Sequence, residues 1–171
     1  MFSISLIPQK VRQILSKFVQ NNAQIYIVGG AVRDLYLNRS VKDWDFTTNL
    51  TPQEMKKIYP KNSFYQNDFG TFSIIGPKQE IFEVTTFRSE SVYTDFRHPS
   101  KVEWGQSIQQ DLKRRDFTIN AIALKPVYKN SKLTSLEVID PYNGLKDLDL
   151  KLVRAVGNPD TRFQEDAHRL I

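Results

Sequence analysis

The passage Ile25-Tyr26-Ile27-Val28, Gly29-Gly30, Ala31-Val32-Arg33-Asp34-Leu35-Tyr36-Leu37 narrows the possible folds more than any other part of the chain. Its first four residues are apolar, β-branched or aromatic, and read as a buried strand. The glycine pair breaks that strand, and the residues after it read as a short helix. A strand feeding directly into a helix places a helical layer against a sheet, so the expected class is α/β with a mixed sheet. The turn itself suits an anion: glycines let the backbone approach, and a helix N-terminus offers free N–H groups. Arg33, expected in the first turn, is unfavourable to the helix dipole and adds a guanidinium fork for phosphate oxygens. Gly30 and Arg33 are therefore candidate phosphate contacts. The pattern is neither the G-x-G-x-x-G dinucleotide fingerprint nor a P-loop, and it can equally be a tight strand-to-helix turn.

The remaining elements fit that class. Val11, Ile14, Leu15, Phe18 and Val19 recur with helical spacing just before the strand. A strand is expected over 42–47, and Thr51-Pro52 opens a helix as N-cap and first-turn proline. Strands at Thr71–Ile75 and Ile81–Thr86 flank a Gly76-Pro77-Lys78-Gln79 turn. Residues 88–105 are polar and aperiodic and read as a mobile loop. A helix from Ser107 runs to Lys113-Arg114-Arg115. Strands are expected over 120–124 and 136–139, with 125–135 a polar excursion and Pro141-Tyr142-Asn143-Gly144 a turn. The last segment, from Pro159, reads as a helix with Phe163, Ala167, Leu170 and Ile171 on one stripe. That stripe has no downstream partner and no C-cap glycine, so the natural protein is expected to continue.

Composition removes several chemistries. The 171 residues, enough for one domain or one and part of a second, include no cysteine, which excludes disulfides and thiolate ligands. Two histidines, His98 and His168, cannot build a zinc site. A metal here must be a hard cation on carboxylates, magnesium being the usual one. Lys+Arg outnumber Asp+Glu by 24 to 19, which favours a polyanionic partner. No apolar run is long enough for a membrane helix and no secretory signal is evident, so a cytoplasmic protein without a membrane partner is expected.

Asp43-Trp44-Asp45 lies in a run over 41–46 that reads as a strand. Alternation puts both aspartates on one side and Trp44 on the other. Two adjacent like charges repel unless a cation lies between them, so the pair can hold one or two magnesium ions for in-line attack on a phosphate. Glu83, on the strand Ile81–Thr86, is expected to point inward if Phe82 and Val84 face the core, and is a candidate third carboxylate. Taken alone, the aspartate pair can also be two solvated acids at a strand end.

Several motifs occur in order: Gly29-Gly30-Ala31-Val32-Arg33-Asp34, Asp43-Trp44-Asp45, Glu83-Val84-Thr85-Thr86-Phe87-Arg88, Arg114-Arg115-Asp116-Phe117-Thr118-Ile119-Asn120-Ala121, Asp140-Pro141-Tyr142-Asn143-Gly144 and Arg162-Phe163-Gln164-Glu165-Asp166-Ala167-His168-Arg169. Together they resemble the head and early neck of class II CCA-adding enzymes (tRNA nucleotidyltransferases), within the bacterial poly(A) polymerase family. The resemblance implies a polymerase-β-like nucleotidyltransferase head over 1–158 and the first helix of a helical neck over 159–171. It implies addition of CMP and AMP from CTP and ATP to the 3′ end of tRNA, with Mg2+ on Asp43 and Asp45 and Glu83 as third carboxylate. It also implies triphosphate contacts at Gly30 and Arg33, a nucleotide contact at Arg114, and a base-reading pair at Asp166 and Arg169. Residues 93–99, with Asp95, Arg97, His98 and Pro99, are similar to the family's nucleotide-switching loop. Trp44 replaces the family's small aliphatic, and His168 its leucine.

Asp166 and Arg169 are i, i+3 on the expected helix and share a face. A carboxylate accepts and a guanidinium donates, which matches the amino donor and ring-nitrogen acceptor of cytosine and adenine and opposes guanine and uracil. Read alone, the pair is an ordinary surface salt bridge. Alternatives to CCA addition are poly(A) synthesis, addition of only CC or only A, or a non-catalytic nucleotide- or RNA-binding module. The intact carboxylates argue against the last.

Overall fold

Burial on both sides of Ile25–Val28 (β1) sets the architecture. The structure, a computed structural model, describes residues 2–65, 71–89 and 104–165. Among these, β1 is joined in one mixed sheet by Asp45–Thr48 (β2), Ser63–Tyr65 (β3), Thr71–Ile75 (β4), Ile81–Thr86 (β5), Ala123–Lys129 (β6) and Lys132–Ile139 (β7). The order is β3-β4-β5-β2-β1-β6-β7. β2 and β5 run parallel, and the other pairs are antiparallel.

One face of the sheet carries the main core. Ile25, Ile27, Phe46, Phe72, Ile74, Phe82, Val84 and Leu124 pack there against four helices, Gln9–Gln20 (α1), Gly30–Tyr36 (α2), Pro52–Ile58 (α3) and Gly144–Asp149 (α5). α1 buries Val11, Ile14, Leu15 and Phe18, as its periodicity predicts. α3 begins with a full capping box between Thr51 and Glu54. The opposite face is covered over a smaller area. There Tyr26, Val28, Phe87 and Ala123 pack with Ile108 and Leu112 of Ile108–Lys113 (α4). The final described helix is Pro159–Glu165 (α6).

Four expectations change. The strand expected over 42–47 begins only at Asp45, and Asp43 sits in a bend before it. The polar excursion over 125–135 is instead a hairpin, whose turn residues Asn130 and Ser131 take φ of 50° and 59°. Paired left-handed residues suit the twist of a two-residue hairpin. β1 pairs with β6 only at Ala123 and Leu124, and the rest of β6 pairs with β7 alone. Pro126 has no N–H to donate to a further ladder, and although Leu136 still reaches the main core, the exposed Lys125, Lys129, Thr134, Ser135 and Glu137 leave the apolar alternation incomplete. The Pro-Tyr-Asn-Gly turn leads into α5, whose first N–H groups, of Gly144 and Leu145, donate to the Asp140 carboxylate. The edge strand β3 is too short to show a period. Among the described residues, no helix is long and apolar enough to cross a membrane.

Candidate active site

The partly covered face of the sheet carries a row of side chains set by register. Val28 pairs with Asp45, Asp45 with Glu83, and Glu83 with Ser73. The parallel β2–β5 pair thus sets two carboxylates on adjacent strands, about 4.8 Å apart at the backbone. Glu83 does not point inward as expected. Phe82 and Val84 take the core face, so Glu83 stands exposed on the other. Trp44 is buried in the main core, away from the aspartates. Asp43, although in a bend, opens with Asp45 onto the same groove.

That groove has a volume of about 680 Å³ and is lined by Gly30, Arg33, Asp34, Arg39, Ser40, Lys42, Asp43 and Asp45. Arg39 and Lys42 escaped the sequence reading. Their only signal is two basic residues between the glycine turn and the aspartate pair. Burial pushes the Asp45 carboxyl above the ordinary carboxylate range; Arg115 opposes this and Asp43 adds to it. Glu83, although its surface is largely open, is raised by partial desolvation of its carboxyl, then by Asp45 and Asp43. The mutual electrostatic effect places the three acids in one field. Among the described residues, however, no group of three or more acidic or histidine side chains converges to hold a metal ion.

Gly29 caps α2 with φ 66° and ψ −138°, a conformation open essentially to glycine. A Cβ there would stand 3.2 Å from Arg115 Nη1 and 3.7 Å from Asp45 Oδ2. The glycine therefore lets a guanidinium and a carboxylate close over the turn. α2 starts at Gly30, one residue earlier than expected, and Arg33 lies in its second turn. Its guanidinium folds back over Gly30, with Nη2 3.4 Å from the position of a Cβ there. It is held by Nε donating to Asp34 Oδ1 at 3.1 Å and Nη1 donating to Asn120 Oδ1 at 2.9 Å.

Asn120 belongs to a 3-10 turn, Thr118–Asn120. Its side-chain amide also donates to Asp116, and its carbonyl accepts from Arg115 Nη1. The turn is wedged in place by Gly144, where any Cβ would overlap the Thr118 carbonyl, and by Thr118 Oγ1 donating to buried Asp147 at 2.7 Å. The Asp140–Gly144 motif thus supports the site from behind.

Arg114 and Arg115 share one anchor, Asp111, which is fully buried. Its Oδ1 accepts from Nε and Nη2 of Arg114 and its Oδ2 from Nε and Nη2 of Arg115. The Arg88 backbone N–H donates to Oδ1 as well. Burial alone would raise this carboxyl, but the two guanidinium groups hold it below the ordinary range. Asp111 was not singled out by sequence, since one acid in a short polar helix resembles a solvated residue. Neither arginine lines the groove; of the two, Arg115 is the one near Asp45. Asp166, Arg169, His168 and the 93–99 loop lie outside the described residues.

Solved structures with this sheet define the class. The chain superposes on a Bacillus stearothermophilus CCA-adding enzyme in complex with CTP with a TM-score of 0.77 at 35% identity, covering 95% of this chain and 36% of that one. A Thermotoga maritima CCA-adding enzyme complexed with tRNA gives 0.73 at 26% identity, covering 98% and 37%. Residues 25–154 match the family described as the Poly A polymerase head domain, and the chain belongs to that family. It is also 41% identical over 162 residues to the CCA-adding enzyme of Bacillus subtilis, covering 95% of this chain and 38% of the relative. The chain therefore spans well under half the length of the curated relatives it matches.

Proposed function

We propose that this chain is the catalytic head of a tRNA nucleotidyltransferase that adds CMP and AMP, from CTP and ATP, to the 3′ end of tRNA in the cytoplasm. The observation that carries the reading is the opening of Asp43 and Asp45 onto the same groove as Arg33, Arg39 and Lys42. Carboxylates able to hold a cation thus face cations able to hold a triphosphate. The relatives named for CCA addition support it. On this reading residues 1–158 form the head and 159–171 begin the neck.

The donors fit magnesium. Two oxygen-only ligands, mutually repelling and one of them half-buried, suit a hard ion that takes its remaining ligands from water and substrate phosphate. Asp43 and Asp45 would hold it. When bound, it neutralises charge on the reacting phosphate and lowers the pKa of the attacking hydroxyl. Gly30 and Arg33 receive the triphosphate, with Arg39 and Lys42 flanking it. Glu83, on the strand beside Asp45, stands where it can accept the proton of the incoming 3′-hydroxyl. The 3′-oxygen forms a bond to the α-phosphorus, the bond to the β-phosphate breaks, and pyrophosphate leaves. Arg114 contributes to nucleotide binding from the same anchor as Arg115, and Asp166 with Arg169 reads the base.

Replacing Asp43 or Asp45 with alanine in the natural full-length protein should abolish transfer to tRNA lacking its 3′ end while leaving the circular dichroism spectrum unchanged. Near-normal transfer by Asp43→Ala with Mg2+ present would sink the assignment. The length of the wild-type product with CTP and ATP, separately and together, separates CCA addition from CC-only, A-only or poly(A) synthesis.

A further inference from the structure

Arg115 poses a problem for a metal site. Its guanidinium and the Asp45 carboxylate both lie within 4 Å of the point where a Gly29 Cβ would stand, yet the two do not form an ion pair. Arg115 is paired with Asp111 instead, Nη2 to Oδ2 at 3.1 Å, and its Nη1 donates to the Asn120 carbonyl. The two attract across this gap, since the Arg115 charge favours the ionised form of the Asp45 carboxyl. Left unanchored it would swing onto Asp45 and occupy the oxygens a divalent cation needs.

Resting on the metal reading of Asp45, we infer that Asp111 is a positioning residue that keeps Arg115 off Asp45 and so keeps that carboxylate available to the metal. Three features suit Asp111 to this task. It is fully buried, so water does not compete for its oxygens. It sits in the last turn of α4, and the chain turning out of that helix brings Arg115 back onto it at 3.1 Å. It also holds Arg114 on its other oxygen, which leaves Oδ2 to Arg115 alone. Asp111 itself touches no groove-lining residue and need not contact substrate. Arg115, held back by this clamp, leaves its positive charge near the site without quenching the carboxylate.

The test is Mn2+ binding in the absence of nucleotide, followed in the natural full-length protein by loss of the free-ion electron paramagnetic resonance signal. Wild type should bind Mn2+, and Asp45→Asn should not. Binding that survives Asp45→Asn would overturn the metal reading and this inference with it. The inference itself is decided by two matched double variants, Asp111→Asn/Arg114→Gln and Asp111→Asn/Arg115→Gln. Each removes the buried acid and one arginine, so their net charge is equal and their folding burden similar; melting curves check this. The first leaves Arg115 unanchored and should bind Mn2+ at least about tenfold more weakly than wild type, because an opposite charge within ~4–6 Å is worth one to three orders of magnitude in a carboxylate's affinity for a competing cation. The second leaves no guanidinium beside Asp45 and should bind as tightly as wild type or more so. Equal affinities in the two variants, whether both weak or both normal, would refute the positioning role while leaving the metal assignment standing.

Discussion

Substituting Gly29 with alanine should damage the protein in two separable ways, and Gly157 provides the control. Both glycines have positive φ, 66° and 75°. A side chain at either incurs backbone strain of about 1–3 kcal/mol. In a domain of this size each kcal/mol lowers Tm by roughly 2–4 °C, so both variants should melt about 2–12 °C below wild type. Their surroundings differ. A Cβ on Gly157 meets nothing within 4 Å, whereas one on Gly29 meets Arg115 Nη1 at 3.2 Å and Asp45 Oδ2 at 3.7 Å. The guanidinium must give way by a few tenths of an ångström at the centre of the candidate site. A misplacement of about 1 Å can cost two orders of magnitude in rate, so a loss of about tenfold in CMP transfer is expected for Gly29→Ala. Gly157→Ala should transfer normally below its melting range. Differential scanning calorimetry and single-turnover CMP incorporation on the full-length protein would measure both. Equal transfer rates in the two variants at a temperature where both are folded would refute the idea that Gly29 is kept open for Arg115 and Asp45.

Two further outcomes follow from the electrostatics and from the expected base-reading pair. Because the Asp45 carboxyl is raised in the folded state, wild type loses stability as pH rises from the ordinary carboxylate range through the raised value, where the unfolded chain has already released its proton. Metal-free Asp45→Asn should therefore melt above wild type at pH 7, with the gap closing as pH falls into the ordinary carboxylate range; melting curves across pH check this, and a gap that widens towards acid would reverse the sign. Asp166→Ala should lower kcat/KM for CTP and ATP while weakening discrimination against UTP and GTP, measured by steady-state incorporation; an equal loss with all four nucleotides would make the residue structural.

The local elements of this chain are written in short-range chemistry that needs no tertiary context. The apolar Ile25–Val28, the α1 stripe and the Thr51–Glu54 capping box all form where their own neighbours dictate. The glycine turn was legible for the same reason, since a glycine-only φ is a property of a few consecutive residues. Strand alternation does not account for the aspartate pair, because Asp43 lies in a bend before β2 and only the fold opens it onto the same groove as Asp45. What only the fold decided is which distant residues meet. The parallel pairing of β2 with β5 brings Glu83 to Asp45 and turns it outward, although the two are far apart in sequence. The hairpin over Ala123–Ile139 escaped detection because most of its side chains past Leu124 are polar and exposed, with Pro126 and Leu136 buried among them. Asp111 was invisible because burial of an acid depends on two guanidinium groups and a backbone N–H arriving together. Arg115, not its neighbour Arg114, stands over Gly29 because the Asn120 carbonyl and Asp111 direct it there. Charge pairing in a folded site is set by distances of a few ångströms across elements, and sequence spacing carries that information only when both partners lie on the same helix or strand.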